Sequence, residues 1–182
     1  EELERQNARI RVIRYEGSFN FSAINNFGAA HAKGDYLLLL NNDTEMIHGD
    51  CLRQLLGPCQ RPEVGITGAL LYYGDDTIQH AGVVLGFGGI AGHAFIGEKR
   101  GDNGYFSRII CRQDYSAVTA ACLMVKTSVY REVGGMSEDL RVAFNDIDFC
   151  MKVRKAGYLV VYNPGAELYH FESKSRGLEN TQ

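Results

Sequence analysis

Long apolar runs are missing from this 182-residue chain. The stretch Tyr36-Leu37-Leu38-Leu39-Leu40 falls far short of the roughly 20 residues a membrane-spanning helix needs. A basic-then-apolar leader is missing too, which predicts no signal peptide and a cytoplasmic protein. No CxxC pair occurs, and the five cysteines are odd in number, with Cys122 and Cys150 set among apolar neighbours. That pattern predicts reduced core thiols rather than a disulfide framework or a zinc site. Charge of one sign is scarce. Nineteen Lys and Arg against 22 Asp and Glu leave a net charge of -3, which disfavours non-specific nucleic-acid binding. The GxSxG, HExxH and P-loop signatures are absent. A composition of 45% hydrophobic and 23% charged residues excludes disorder and is that of an ordinary globular chain. The length suits one domain with a real core.

The order of elements points to an α/β fold. Glu1 to Arg5 reads as the tail of a helix, and Ile10 to Tyr15, rich in β-branched residues, as a strand. Ser22 reads as the cap of a helix to Lys33, closed by Gly34. Tyr36 to Leu40 is continuously apolar, which suits a parallel strand covered on both faces. A helix near Asp50 to Leu56 and a strand over Val64 to Tyr72 follow. Alternation of this kind predicts a mostly parallel sheet with flanking helices. Further on, Ser116 to Val125 reads as a strand, Ser128 to Val133 as a helix closed by Gly134-Gly135, and Asn145 to Ala156 as a helix closed by Gly157. Tyr158 to Tyr162 and Glu167 to His170 read as short strands, and residues 1–182 as a single domain.

Between Gly82 and Gly104 eight of 23 residues are glycine, which predicts a long, mobile functional loop. The loop contains Gly86-Phe87-Gly88-Gly89-Ile90-Ala91, a match to the GxGxxA dinucleotide fingerprint. That fingerprint requires a helix immediately afterwards, and the continuation Gly92-His93-Ala94 is a poor helix start, so the nicotinamide-oxidoreductase reading is weak.

Three constellations can carry chemistry. Asn41-Asn42-Asp43-Thr44 ends the apolar strand, where open α/β sheets bind ligands, and offers hard oxygens suited to Mg²⁺ or Mn²⁺. The same residues are also ordinary turn formers. Phe144-Asn145-Asp146-Ile147-Asp148 opens a helix, with Asn145 read as its cap, Asp146 at the first position and Asp148 at the third. Acids there complement the free N–H groups of a helix start, which accounts for Asp148 more fully than for Asp146. Finally, His170 ends a strand and is followed by Lys174 and Arg176, a set able to ligate metal and hold phosphate, or simply a solvated terminus. His80 and His93 flank the glycine-rich loop as further candidates for ligand contact.

These constellations, in this order, resemble the bacterial family-2 glycosyltransferases of GT-A fold, the rhamnosyltransferase-like enzymes of surface polysaccharide assembly in particular. The residues carrying the resemblance are Asn20 to Asn26, Ala32 to Asp43, Thr119 to Cys122, Val133 to Met136, Phe144 to Cys150 and Ala166 to His170. The resemblance implies a Rossmann-related mixed sheet. It implies donor binding by Asn41, Asn42, Asp43, Thr119 and Ala120, with Asn41 departing from the acidic first position of the family's DxD-type motif. It further implies metal binding by Asp43 and His170, and Asp146 as the general base. The implied cofactor is Mg²⁺ or Mn²⁺. The implied donor is a UDP- or TDP-sugar, and the acceptor a saccharide or lipid-linked saccharide, with the inner face of the membrane as a peripheral location. Against the family pattern, the chain lacks the opening strand, helix and strand that bind the nucleoside. That departure leaves open an inactive fragment or an assembly module that keeps the fold.

Overall fold

The computed structural model describes residues 2–171. Helices α1 (Glu2–Gln6), α2 (Phe21–His31), α3 (Cys51–Cys59), α4 (Thr127–Glu132) and α5 (Asn145–Lys155) surround a mixed sheet. Its main strands are β1 (Tyr36–Leu40), β2 (Thr44–Met46), β3 (Val64–Tyr72), β8 (Cys122–Lys126) and β9 (Leu159–His170), in the order β1-β8-β3-β9-β2. Short strands β4 (Ile78–His80) and β7 (Gln113–Asp114) add to β3 and β9. A separate hairpin joins β5 (Val83–Leu85) to β6 (Ala91–His93).

The parallel share of the sheet is smaller than the strand–helix alternation predicts. Among the described residues β3–β9 is the parallel pairing, and the others are antiparallel. β8 runs antiparallel between β1 and β3, so burial on both faces, not strand direction, explains the apolar runs. Alternation sorts the side chains. Leu37, Leu39, Leu123 and Val125 face a core shared with Tyr130 of α4 and Phe149 of α5. Cys122 and Met124 face the opposite core, with Leu55 and Cys59 of α3. The sheet is therefore covered by helices on both sides.

Four thiols, Cys51, Cys59, Cys122 and Cys150, are buried, and all five cysteines are free. Burial raises the first two to about 11 and the last two to about 12, so they behave as small apolar residues. Cys111 is the exposed exception.

Several local expectations are corrected. Ile10 to Tyr15 forms no strand and lies exposed, because a β-branched run adopts that form only against a pleated partner. The side chain of Asn20, not Ser22, caps α2 by accepting from Ala23 N at 3.1 Å. Ser22 instead donates to the Leu140 carbonyl at 2.8 Å. The strand predicted over Ser116 to Val125 begins only at Cys122. Val118, ahead of it, presses on β3, where a Cβ at Gly68 would lie 2.5 Å from the Val118 Cβ. Glycine at 68 thus lets the irregular segment 117–121 settle against the sheet. The GxGxxA match falls on the β5–β6 turn rather than on a strand-to-helix junction, which removes the dinucleotide reading.

That hairpin is anchored at its base. Val83 N donates to Ala117 O at 2.9 Å, and Ala94 N to Gly82 O at 2.9 Å. Within the hairpin, motion is therefore expected at the exposed turn at 87–89 rather than at its base. Amide exchange should be complete within about seconds at Gly88 and Gly89 and strongly slowed at Val83 and Ala94. Equal rates at all four would refute the anchoring.

Candidate active site

The site lies where β1 ends. Asn41 N donates to Ala121 O at 3.0 Å, which continues the β1–β8 ladder by one residue into the irregular segment. The chain then turns through Asn42 and Asp43, a turn closed by the Thr44 hydroxyl on Asn41 O at 2.7 Å, and re-enters the sheet as β2. The turn-forming capacity of Asn and Asp is therefore used here. It also delivers Asp43 to β9: Phe171 N donates to Asp43 O at 2.9 Å, and Thr44 pairs with His170.

His170 is buried and is the meeting point of the first and third constellations. Its Nε2 lies 3.3 Å from Asn41 Nδ2 and 3.2 Å from Asp43 Oδ1. Its Nδ1 lies 2.7 Å from Gln79 Oε1. Asp43 Oδ1 is itself buried and has no hydrogen-bond donor. The Asp43–His170 contact is an ion pair only when Nε2 carries a proton. With the Asn41 amide donating to Nε2, a buried carboxylate oxygen and an imidazole lone pair converge without a positive group between them.

The second constellation joins through the backbone of the 117–121 segment, which Asn41 also holds at Ala121. Ala120 N donates to Asp146 Oδ2 at 3.3 Å, and Asp146 Oδ1 accepts from Ile147 N at 2.8 Å. The helix start differs from expectation by one residue. Phe144, at φ 59 and ψ 4, is the capping residue, so Asn145 is the first residue of α5, Asp146 the second and Asp148 the fourth. A left-handed conformation is uncommon for a bulky side chain, and such strain concentrates at functional sites. Asp148 turns away from Asp146's partners: its Oδ2 accepts from the Ser137 hydroxyl at 2.6 Å. Lys152, one turn on from Asp148, reaches the same hydroxyl at 3.2 Å and Gly135 O at 2.6 Å.

Thr119 stands in the middle. Its hydroxyl accepts from Ala121 N at 3.3 Å, and its own N–H points at His80 Nε2, 3.4 Å away. His80 is buried, with Nδ1 2.8 Å from His93 Nδ1 on the hairpin. Burial, followed by the nearby His93 and His170, pushes its pKa well below the ordinary imidazole value, so it stays neutral. A backbone N–H donating to Nε2 then leaves the ring hydrogen on Nδ1, facing His93.

Asn41, Asp43, Thr119, Ala120, Asp146 and His170 thus form one hydrogen-bonded assembly. Asn42 is exposed on the turn, and Lys174 and Arg176 lie outside the described residues. Gln79 was not singled out by sequence reasoning. Its signal is a polar side chain inside the short run Ile78-Gln79-His80-Ala81, all of it buried. Among the described residues no cluster of three or more His, Cys, Asp or Glu is arranged around a metal position. Two grooves, of about 360 and 370 Å³, flank the other end of β1 around Thr127 and Arg131 and contain none of the predicted site residues. No helix among the described residues is long and apolar enough to cross a membrane.

The chain is 51% identical over 181 residues to the uncharacterised protein y4gI of Sinorhizobium fredii, covering 99% of this chain and 20% of that protein. It is 36% identical over 169 residues to the O-antigen biosynthesis protein RfbC of Myxococcus xanthus, covering 92% of this chain and 13% of that one. The chain therefore spans a fifth or less of these relatives. Its fold matches a crystal structure of GalNAc-T7 with UDP, GalNAc and Mn²⁺ at a TM-score of 0.72 and 14% identity, over 93% of this chain and 34% of the other. That likeness shows the GT-A architecture. The model of the family described as glycosyl transferase family 2 matches residues 1–133, which include β1, the Asn41–Asp43 turn and the Thr119–Ala121 segment but stop short of Asp146 and His170. With most of its length matched, this chain belongs to glycosyl transferase family 2.

Proposed function

We propose that the chain is the catalytic portion of an enzyme that moves a sugar from a nucleoside-diphosphate donor to a saccharide acceptor in polysaccharide assembly. The observation that carries this reading is the convergence of Asp43 Oδ1 and His170 Nε2, at 3.2 Å, with the carboxylate oxygen buried and undonated. A buried carboxylate oxygen with no donor, set beside an imidazole nitrogen held only by the 3.3 Å contact from the Asn41 amide, suits a divalent cation, and two protein ligands suffice when the rest come from water and phosphate. A bound Mg²⁺ or Mn²⁺ would neutralise charge developing on the leaving diphosphate.

Asp146 is placed to work as the base. It would take the proton of the acceptor hydroxyl as the hydroxyl oxygen bonds to the anomeric carbon and the bond from that carbon to the diphosphate breaks. One base and an attack opposite the leaving group correspond to inversion. A UDP- or TDP-sugar is the proposed donor, of hexosyl or rhamnosyl type. The relation to an O-antigen biosynthesis protein supports a saccharide acceptor. The exposed Phe87 and Ile90 on the glycine-rich segment, with Phe106 just beyond it, support one that is lipid-linked, approached from a membrane surface.

The test is turnover by the full-length protein on a panel of nucleotide sugars with Mn²⁺, read as release of nucleoside diphosphate. Release dependent on added saccharide acceptor is the expected result. Saturable binding of nucleotide sugars without any release under acceptor would favour an assembly module instead.

A further inference from the structure

Gln79 is almost fully buried on β4, a strand hydrogen-bonded to β3 and not to β9. Its amide nevertheless grips one residue of β9 at two points. Oε1 lies 2.7 Å from His170 Nδ1, and Nε2 donates to the His170 carbonyl at 3.4 Å. An amide has one accepting end and one donating end, and a carbonyl oxygen can only accept. The donating end must therefore face His170 O. Turned the other way, the amide would set oxygen against oxygen there. This leaves Oε1 on the ring, and since Oε1 can only accept, ring Nδ1 must carry the hydrogen. The neutral ring then bears its lone pair on Nε2, the atom facing Asp43 and Asn41.

We propose that Gln79 is a positioning residue. It locks His170 in the Nδ1–H tautomer and presents the Nε2 lone pair, beside Asp43, to a divalent cation. The cation part of this inference rests on the reading of Asp43 and His170 as a cation-binding pair; the tautomer part rests on hydrogen bonding alone. Imidazole ligands ordinarily donate their second ring N–H to a fixed acceptor, which sets ring orientation and raises ligand strength. A side-chain carboxamide clamped by the ligand's own backbone is a rigid form of that partner. It ties the ring to the chain that carries it: the ring turns only by breaking its bond to Oε1, and the bond to the His170 carbonyl keeps that oxygen in place.

Long-range ¹H–¹⁵N spectra of histidine-labelled protein distinguish the tautomers without metal or nucleotide, with His170 identified by the signal lost in His170→Ala. The wild type should show Nδ1–H. Gln79→Leu should release the ring to a mixture or to Nε2–H and weaken Mn²⁺-assisted UDP binding by about 10- to 100-fold in the full-length protein. Gln79→Met, close to glutamine in length and flexible enough to fill the same space without accepting from Nδ1, should release the ring in the same way and serves where the leucine variant does not fold. Nε2–H in the wild type, or an unmoved tautomer in Gln79→Leu, overturns the proposal. A moved tautomer with unchanged Mn²⁺-assisted binding, while Asp43→Ala abolishes it, overturns the positioning role and leaves the cation reading standing. Loss of assistance in neither variant removes the cation reading, and the spectra still judge the tautomer.

Discussion

Asp146→Asn should lower kcat of the full-length enzyme by about 10²- to 10⁴-fold, the usual loss when a positioned base is removed. The substitution keeps the shape of the side chain and an oxygen able to accept from Ala120 N, which donates to Asp146 at 3.3 Å. What it loses is the basic carboxylate, and with it the second accepting oxygen, which takes the Ile147 N–H at 2.8 Å. Because a base acts in the transition state, donor affinity should change little while kcat and kcat/KM fall together. Asp148→Asn is the internal control. Asp148 holds the Ser137 hydroxyl at 2.6 Å, on the far side of the Asp146 contacts. Weakening that bond should cost about 1 kcal/mol of stability and leave kcat intact. Steady-state kinetics of both variants, with thermal melts alongside, decide the assignment. Full turnover by Asp146→Asn would remove the residue from catalysis.

Asp43→Ala should abolish the strengthening of UDP or TDP binding by Mn²⁺ that calorimetry on the wild-type enzyme is expected to show. Hard cations of this kind are held jointly by carboxylates and substrate phosphates, so Mn²⁺ alone should bind weakly to either protein. The alanine variant removes the buried oxygen that has no donor while leaving the main-chain bond from Phe171 N to residue 43 available. The turn should survive, and a collapse of the fold is not expected to confuse the result. Nucleotide binding equal in Mn²⁺ and in EDTA, in the wild type, would refute the metal role outright.

The parts of this molecule that sequence made visible are those with strong local periodicity. β1, α3, β3, α4 and α5 all fall near their expected positions, because apolar spacing and the glycines at 134, 135 and 157, all at positive φ, mark them independently of their neighbours. Ile10 to Tyr15 misled because strand preference is a preference for a partner, and no strand among the described residues takes it up. The pairing directions were also hidden. β8 lies between β1 and β3, and nothing in the spacing of its residues says which way it runs.

The site divides in the same way. Asp43, Asp146 and His170 stood out because acids and imidazoles at element ends are chemically conspicuous. Gln79 did not stand out, because its role arises only when β4 is laid beside the end of β9, across 91 residues of sequence. Phe144 likewise looked like an ordinary apolar residue. Its left-handed backbone, which shifts the numbering of α5 by one, is a conformation that a phenylalanine rarely adopts, so residue type gives no sign of it.

The contrast between one exposed thiol and four buried ones has a practical consequence. Burial raises the four to about 11 or 12, and only the thiolate attacks an alkylating probe, so in the native state they should be nearly inert. Among the cysteines of this chain, Cys111 is left as the attachment point. It sits between Ile109, whose carbonyl is held by the Tyr162 hydroxyl at 2.7 Å, and Gln113, whose amide donates to the Cys111 carbonyl at 3.1 Å. A fluorophore there would ride on backbone fixed to the sheet, close in sequence to the hairpin that reaches His80. Ligand-driven motion around the acceptor side could then be followed optically in the unmutated protein, and labelling of the other four would serve as a clock for its unfolding.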